Sequence, residues 1–255
     1  MHLSIKFATV IYFPDLQVNE YSVRIRSVEK FGLSCNNPLD EKGLCMRDEG
    51  SGTRAGQREA SRRSVLEASV ELFAHFGFEG TSMNAISARS GVSKQNAIYY
   101  FGSKEALWET MLDWLFANVA ETFDDILYRG RPVDQISIGD FIRAYFKVCR
   151  KHPAYVLIPM IEGVNDTWRS RMIAEKYLSR HVTRFNEFVR SCADRGEISD
   201  IEPLHLQNLA AGGAQLFLAL APLWKLSAGK DTTSEKFISE YAETVVRLLK
   251  PAAAK

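Results

Sequence analysis

The chain has 255 residues, enough for one large domain or two modest ones, and its 46% hydrophobic and 25% charged content is that of a soluble globular protein. A formal net charge of +1 argues against a protein that coats nucleic acid without regard to sequence. It leaves room for a local basic face, because a phosphate backbone responds to charge within a Debye length.

No apolar run approaches the ~18 residues of a membrane span. The opening MHLSIKFATVIYF is interrupted by Lys6, and no small-residue cleavage site follows, so a secretory signal is not expected. Cys35, Cys45, Cys149 and Cys192 form neither a C-x-x-C pair nor a metal-ligand spacing. Isolated thiols of this kind fit a reducing cytoplasm.

Residues 1 to 56 show no sustained period and end in the polar, glycine-rich run DEGSGTRAG. The glycines of GSGTRAG are not followed by Lys-Ser/Thr, so they do not make a phosphate loop. The segment before residue 56 carries seven basic and seven acidic residues and hence no net attraction to phosphate. Met46 stands twelve residues before the first predicted helix, a spacing that suits a start. The upstream part is therefore expected to be a flexible extension or a start-site artefact, dispensable for DNA binding.

From Arg58 the pattern becomes helical. REASRRSVLEASVELFAHF places Val65, Ala68, Leu72, Phe73 and Phe76 on one face, and Gly77 ends it. Thr81 is the expected N-cap of a second helix with Met83 and Ile86 inward. Ser90, Gly91 and Val92 form a turn, and Ser93 caps a third helix, KQNAIYYF, in which Ile98 and Phe101 are read as core. Ser103 caps a fourth that runs to about Tyr128.

Five further helices follow. They lie before Pro153, over AYVLIPMIEG, from DTWRSRM to Gly196, from Pro203 through LWKL, and over SEKFISEYAETVVRLLK, the last with Thr232 and Glu235 as a capping box. About nine helices and no credible strand after residue 57 make the fold all-α.

The stretch SGVSKQNAIYYFGSKE, residues 90 to 105, explains its own composition once placed in a helix-turn-helix. Its second helix would enter the major groove, N-terminal residues first. Ser93 and Lys94 add donors to the helix N-terminus for a phosphate. Gln95 and Asn96 are the side chains that pair bidentately with adenine, and Tyr99, Tyr100 and Lys104 can donate to the sugar-phosphate backbone.

Over ELFAHFGFEGTSMNAISARSGVSKQNAIYYFGSKEAL, residues 58 to 107 resemble the DNA-binding domain of TetR/AcrR-type transcriptional regulators. The resemblance implies DNA contacts at Thr81, Ser93, Lys94, Gln95, Asn96, Tyr99, Tyr100 and Lys104. The family often has Tyr at the position of Ile98 and His at that of Tyr100. With Ile98 packed inward, the backbone anchor falls on Tyr99 and Tyr100. Should Gln95, Asn96 and Lys104 not read bases, Thr81, Ser82 or the arm around Arg58 remain. Residues 109 to 250 resemble the family's effector and dimerisation domain in layout only.

The implied organisation is an extension over 1–56, a DNA-binding domain over 57–105, and a ligand-binding and dimerisation domain over 106–250. The implied function is a homodimeric, cytoplasmic repressor released from its DNA operator by a small molecule. The alternative is a DNA-bound interaction protein of the same fold, regulated by a protein partner.

Glu162, Asn165, Trp168 and Gln215 lie in or beside apolar runs where a cavity needs a few polar groups, with Trp114 and Tyr145 as further lining candidates. For Glu162 and its neighbours, hydrogen bonding at helix ends is an equal alternative. The histidines have no metal-ligand spacing, no nucleophile elbow is present, and neither a catalytic residue nor a cofactor is expected. Leu206, Leu209, Gly213, Leu216 and Leu220 form the expected dimer seam.

Overall fold

The structure, a computed structural model, describes residues 54–129 and 131–251. The expectations for the N-terminal extension, Met46, Cys35 and Cys45 lie outside the described residues. The fold is all-α, with eleven α-helices among the described residues.

Helix α1 (Arg54–Gly80) begins four residues earlier than its hydrophobic pattern indicates. At Gly77 the backbone leaves helical geometry, with φ 67° and ψ 177°. A side chain there would meet Ile161 Cγ2 at 3.2 Å, so glycine serves both the kink and a close approach. Val65, Ala68 and Phe73 are buried as expected, while Phe76 is 57% exposed. Phe78, just past the kink, takes the inward place instead and meets Phe73 and Trp108 at 5.8 and 5.5 Å.

Helices α2 (Met83–Ser90) and α3 (Lys94–Phe101) complete the helix-turn-helix. Ser82, not Thr81, caps α2 by accepting from the Ala85 amide at 3.1 Å. Thr81 is buried, and its hydroxyl donates to the Gly77 and Leu72 carbonyls at 2.8 and 3.2 Å. Gly91, at φ 71°, closes α2, and Ser93 caps α3 through the Asn96 amide.

Helix α4 (Lys104–Phe123) continues through a π turn to Tyr128 and runs down the centre of the molecule. Leu107, Trp108, Met111, Leu112, Phe116, Val119 and Phe123 are all within 1% of full burial. Around it stand α5 (Ile138–Lys151) and α6 (Ala154–Glu162), then α7 (Trp168–Met172), joined by a π segment to α8 (Ser179–Asp194). Phe116 stacks on Tyr177 at 4.2 Å, and Phe141 packs with Phe185 and Phe188.

The last three helices are α9 (Pro203–Ala219), α10 (Ala221–Ala228) and α11 (Glu235–Leu249). The continuous helix expected from Pro203 through LWKL is bent by 69° between α9 and α10. Pro222, in the first turn of α10, cannot donate to the helix ladder, and the chain starts afresh. This break and the π interruption after α7 account for eleven segments where periodicity indicates nine. No single helix among the described residues is long and apolar enough to cross a membrane.

The expected Thr232–Glu235 capping box is absent. Ser234 caps α11 through the Phe237 amide, and buried Thr232 donates to the Phe217 carbonyl at 2.7 Å.

Candidate DNA-binding surface, domain junction and groove

Helix α3 divides cleanly by burial. Ala97 and Phe101, one helical turn apart, face the core at 0% and 7% exposure. Ser93, Lys94, Gln95, Asn96 and Tyr99 are exposed, and Tyr100 is half-buried. The structure thus gathers six of the eight proposed DNA-contacting positions on or beside one short helix, with Lys104 at the start of α4. Thr81 does not join them, because its side chain is turned under α2 onto the carbonyls of α1.

Ile98 also departs from expectation. It is 42% exposed, since Ala97 and Phe101 fill the inward face and the next residue along falls about 100° away.

Two arginines brace this helix. Arg62 donates to the Tyr100 carbonyl at 3.0 Å and lies 4.8 Å over the Phe101 ring, a cation placed at the negative end of α3. Arg58 donates to the Tyr99 hydroxyl at 3.1 Å. Sequence reasoning reached Arg58 only as part of an alternative arm and missed Arg62. Their four-residue spacing on α1 was the available signal. Lys104 holds its ammonium 4.1 Å over the Phe78 ring, so its stem is anchored beside the end of α1.

The six ligand candidates do not converge. Tyr145 is buried among Phe141, Phe146 and Tyr155, and burial pushes its hydroxyl well above the usual tyrosine range. Gln215 donates to the Val156 carbonyl at 3.4 Å. Asn165 is exposed in the loop after α6, where its carbonyl accepts from Ser170. Trp168 is 43% exposed, with its ring edge on Phe78.

Glu162 hydrogen-bonds at a helix end, the alternative set beside a ligand role for it. It is 6% exposed, and its Oε2 accepts from Arg169 Nε at 2.6 Å while Oε1 accepts from the Phe78 amide at 2.9 Å. Arg169 also reaches Glu79 at 3.0 Å and lies 4.7 Å over the Phe78 ring. Two buried charges satisfy one another and, through the Phe78 amide, tie the end of α1 to α6 and α7. The tie lies beside the Gly77 kink, where the helix-turn-helix meets the rest of the protein.

Trp114 alone of the six lines a groove of about 1090 Å³ between α1, α4 and the α5–α6 corner. Val70, Leu72, Phe76, Leu115 and Leu157 supply apolar walls, and Glu67, His75, Asn118 and His152 supply polar groups. His152 Nε2 lies 2.8 Å from the Thr122 hydroxyl, which itself donates to the Asn118 carbonyl. That leaves the hydroxyl oxygen to accept from a protonated Nε2. Burial, with Lys151 nearby, pushes the His152 pKa down to about 4, so the ring is neutral at pH 7. Among the described residues no group of three or more His, Cys, Asp or Glu side chains is placed to hold a metal ion.

Residues 65–111 match the family described as bacterial regulatory proteins, tetR family. The HTH-type transcriptional regulator RutR of Escherichia coli (strain K12) is 26% identical over 204 residues, 78% of this chain and 93% of that protein. The HTH-type transcriptional repressor NicS of Pseudomonas putida is 25% identical over 126 residues, 49% of this chain and 59% of that protein. The solved structure of the regulator FadR from Bacillus subtilis, in complex with stearoyl-CoA, superposes with a TM-score of 0.51 at 15% identity, over 73% of this chain and 96% of that one. At that identity the likeness concerns the fold. A capped helix-turn-helix, an all-helical body around a central long helix, and these matches lead to one conclusion: the chain carries the DNA-binding domain of the tetR family of bacterial regulatory proteins.

Proposed function

We propose that this regulator is a homodimeric, cytoplasmic repressor whose residues 57–105 hold an operator and whose residues 106–250 dimerise and respond to a small molecule. The observation that carries the reading is the exposed face of α3. Gln95 can pair with adenine in the major groove, with Lys94, Asn96 and Tyr99 beside it. Ser93, Tyr100 and Lys104 then hold the sugar-phosphate backbone, and Arg58 and Arg62 fix the helix they act from.

Dimerisation is supported by the apolar surface of the last helices. Leu209, Leu216, Leu223 and Leu226 are 45%, 57%, 54% and 86% exposed, and Trp224 and Leu248 lie open beside them. A second copy would cover this face. The expected seam shifts, because Leu206 is fully buried and Gly213 faces Tyr241 of its own chain. Gly212, with open space before it, lies on the outward side.

Response to an effector is supported by the groove, whose walls include α1 and α6. Helix α6 runs from the groove at Ala154 to Glu162 at the domain tie. A ligand that wedges α6 from α1 would move Glu162 and with it the Phe78 amide, tilting the helix-turn-helix. A hundred-to-one reversal each way needs about 5.5 kcal/mol of differential affinity.

The alternative, a partner protein in place of a small ligand, draws support from α10, which has no buried residue. Sequencing DNA fragments retained by the purified protein, then testing metabolites for release, decides between them. One recovered motif with two half-sites and release by a metabolite is the expected result. A motif that no small molecule disturbs would favour the partner protein.

A further inference from the structure

An isoleucine exposed at a surface is ordinary in itself. Ile98 is set apart by its surroundings. It is the only large aliphatic side chain of the eight-residue α3, and it stands 42% exposed among Lys94, Gln95 and Tyr99, which are all polar. Inward packing is unavailable to it, because Ala97 and Phe101 occupy that face. Helical spacing makes Ile98 a neighbour of Lys94, at i+4, and of Gln95, at i+3.

If Gln95 meets a base edge, Ile98 therefore lies about 5–6 Å away along the same groove. Base pairs are stacked about 3.4 Å apart, so this reach covers one or two steps. The major groove offers a branched aliphatic side chain one complementary group, the C5-methyl of thymine. Cytosine carries only a hydrogen where thymine carries this methyl, and adenine and guanine present no methyl there.

We infer that Ile98 is a specificity-determining residue that packs on the thymine methyl one or two base pairs from the pair contacted by Gln95. The inference rests on the reading of α3 as the operator-binding helix. The contact excludes water from both apolar surfaces, and it discriminates thymine from cytosine at that position without a hydrogen bond.

Deoxyuridine differs from thymidine by that methyl alone. With the full chain and an operator recovered by sequencing retained DNA, each dT is replaced in turn by dU. Dissociation constants are then measured for wild type, Ile98→Ala and Ile98→Val. At one position per half-site, dU should weaken wild type by about fourfold, the worth of roughly one buried methyl group. Ile98→Ala should bind the dT and dU operators equally, at the level of wild type on dU, and Ile98→Val should keep part of the methyl dependence.

Wild-type affinity unchanged by dU at every position would overturn the inference while leaving operator binding intact. So would an Ile98→Ala variant that still loses fourfold. Failure to recover any preferred sequence would overturn the operator-binding reading and this inference together. Ile98 lies outside the buried core and alanine has the higher helix propensity, so folding is retained.

Discussion

The helix-turn-helix and the helical body hold their polar residues to different purposes. In α3, the polar side chains singled out by residue type stay exposed except for half-buried Tyr100, because Ala97 and Phe101 supply most of the packing. In the body, polar residues beside apolar runs were drawn into the structure itself. Glu162 balances Arg169 and holds the Phe78 amide, and Gln215 serves a backbone carbonyl. A buried polar group must find a partner wherever the chain offers one, and the nearest is usually protein. On the exposed face of α3 water can serve the polar groups, and of these side chains Tyr99 meets Arg58.

The largest effect that would break this contrast is at Glu162. Glu162→Ala should leave Arg169 buried with only the exposed Glu79 and strand the Phe78 amide, at a cost of about 3–5 kcal/mol. Glu79→Ala, at the exposed end of the same cluster, should cost under about 1 kcal/mol. Denaturant unfolding of both variants checks the pair. If Glu162 were instead a free ligand residue, its replacement would leave stability unchanged.

The next effect is one of pH. Burial holds both His152 and His181 down to about 4. In the unfolded chain each takes a proton below about 6.5, whereas the folded protein takes it only near 4. Their contribution is complete above about 6.5 and is lost as pH falls towards 4. Melting at pH 7 and pH 5 should differ by about 1–2 kcal/mol from the fully buried His181 and by less from the partly exposed His152, and His181→Phe should remove the larger share. Equal stability at the two pH values would show that the rings are not buried neutral.

Gly213→Leu sharpens the account of the body. A side chain there runs into Tyr241 of the same chain, so overpacking should cost about 1–3 kcal/mol of subunit stability. Leu216→Glu, on the exposed face, should leave the subunit folded and shift sedimentation from dimer to monomer. Loss of dimerisation with unchanged stability in Gly213→Leu would restore the seam read from the sequence.

The smallest effect belongs to Lys104. Lys104→Ala should weaken all operators alike and lower the slope of log K against log salt by about one unit. A change confined to one base position would show that Lys104 reads sequence instead.

Particular residues show how far the sequence was legible. Helix periodicity, serine caps and glycine stops located the helix-turn-helix closely, since each is a local signal. Thr81 and Thr232 failed alike. Each precedes a serine that caps instead, and each buries its methyl while donating to a carbonyl of a neighbouring segment. Threonine and serine share the capping hydroxyl, and only tertiary packing decides which is used.

Ile98 and Phe76 were assigned to the core by residue type, but the places were filled by Ala97, Phe101 and Phe78. The groove around Trp114 was not legible. Its walls come from α1, α4 and the α5–α6 corner, far apart in the chain, and no local pattern records their meeting.

The central claim is that α3 reads bases through Gln95. Its most direct test is selection of bound sequences from a randomised duplex library by wild type, Gln95→Ala and Asn96→Ala. Gln95 has the longer side chain, and the Ser93 cap uses only the backbone N–H of Asn96. Gln95→Ala should lose about 1–3 kcal/mol at one adenine per half-site and recover a motif relaxed there. Asn96→Ala should recover the wild-type motif at an unchanged melting temperature, because alanine keeps the backbone amide that the Ser93 cap uses. Recovery of an unchanged motif by Gln95→Ala would contradict the claim.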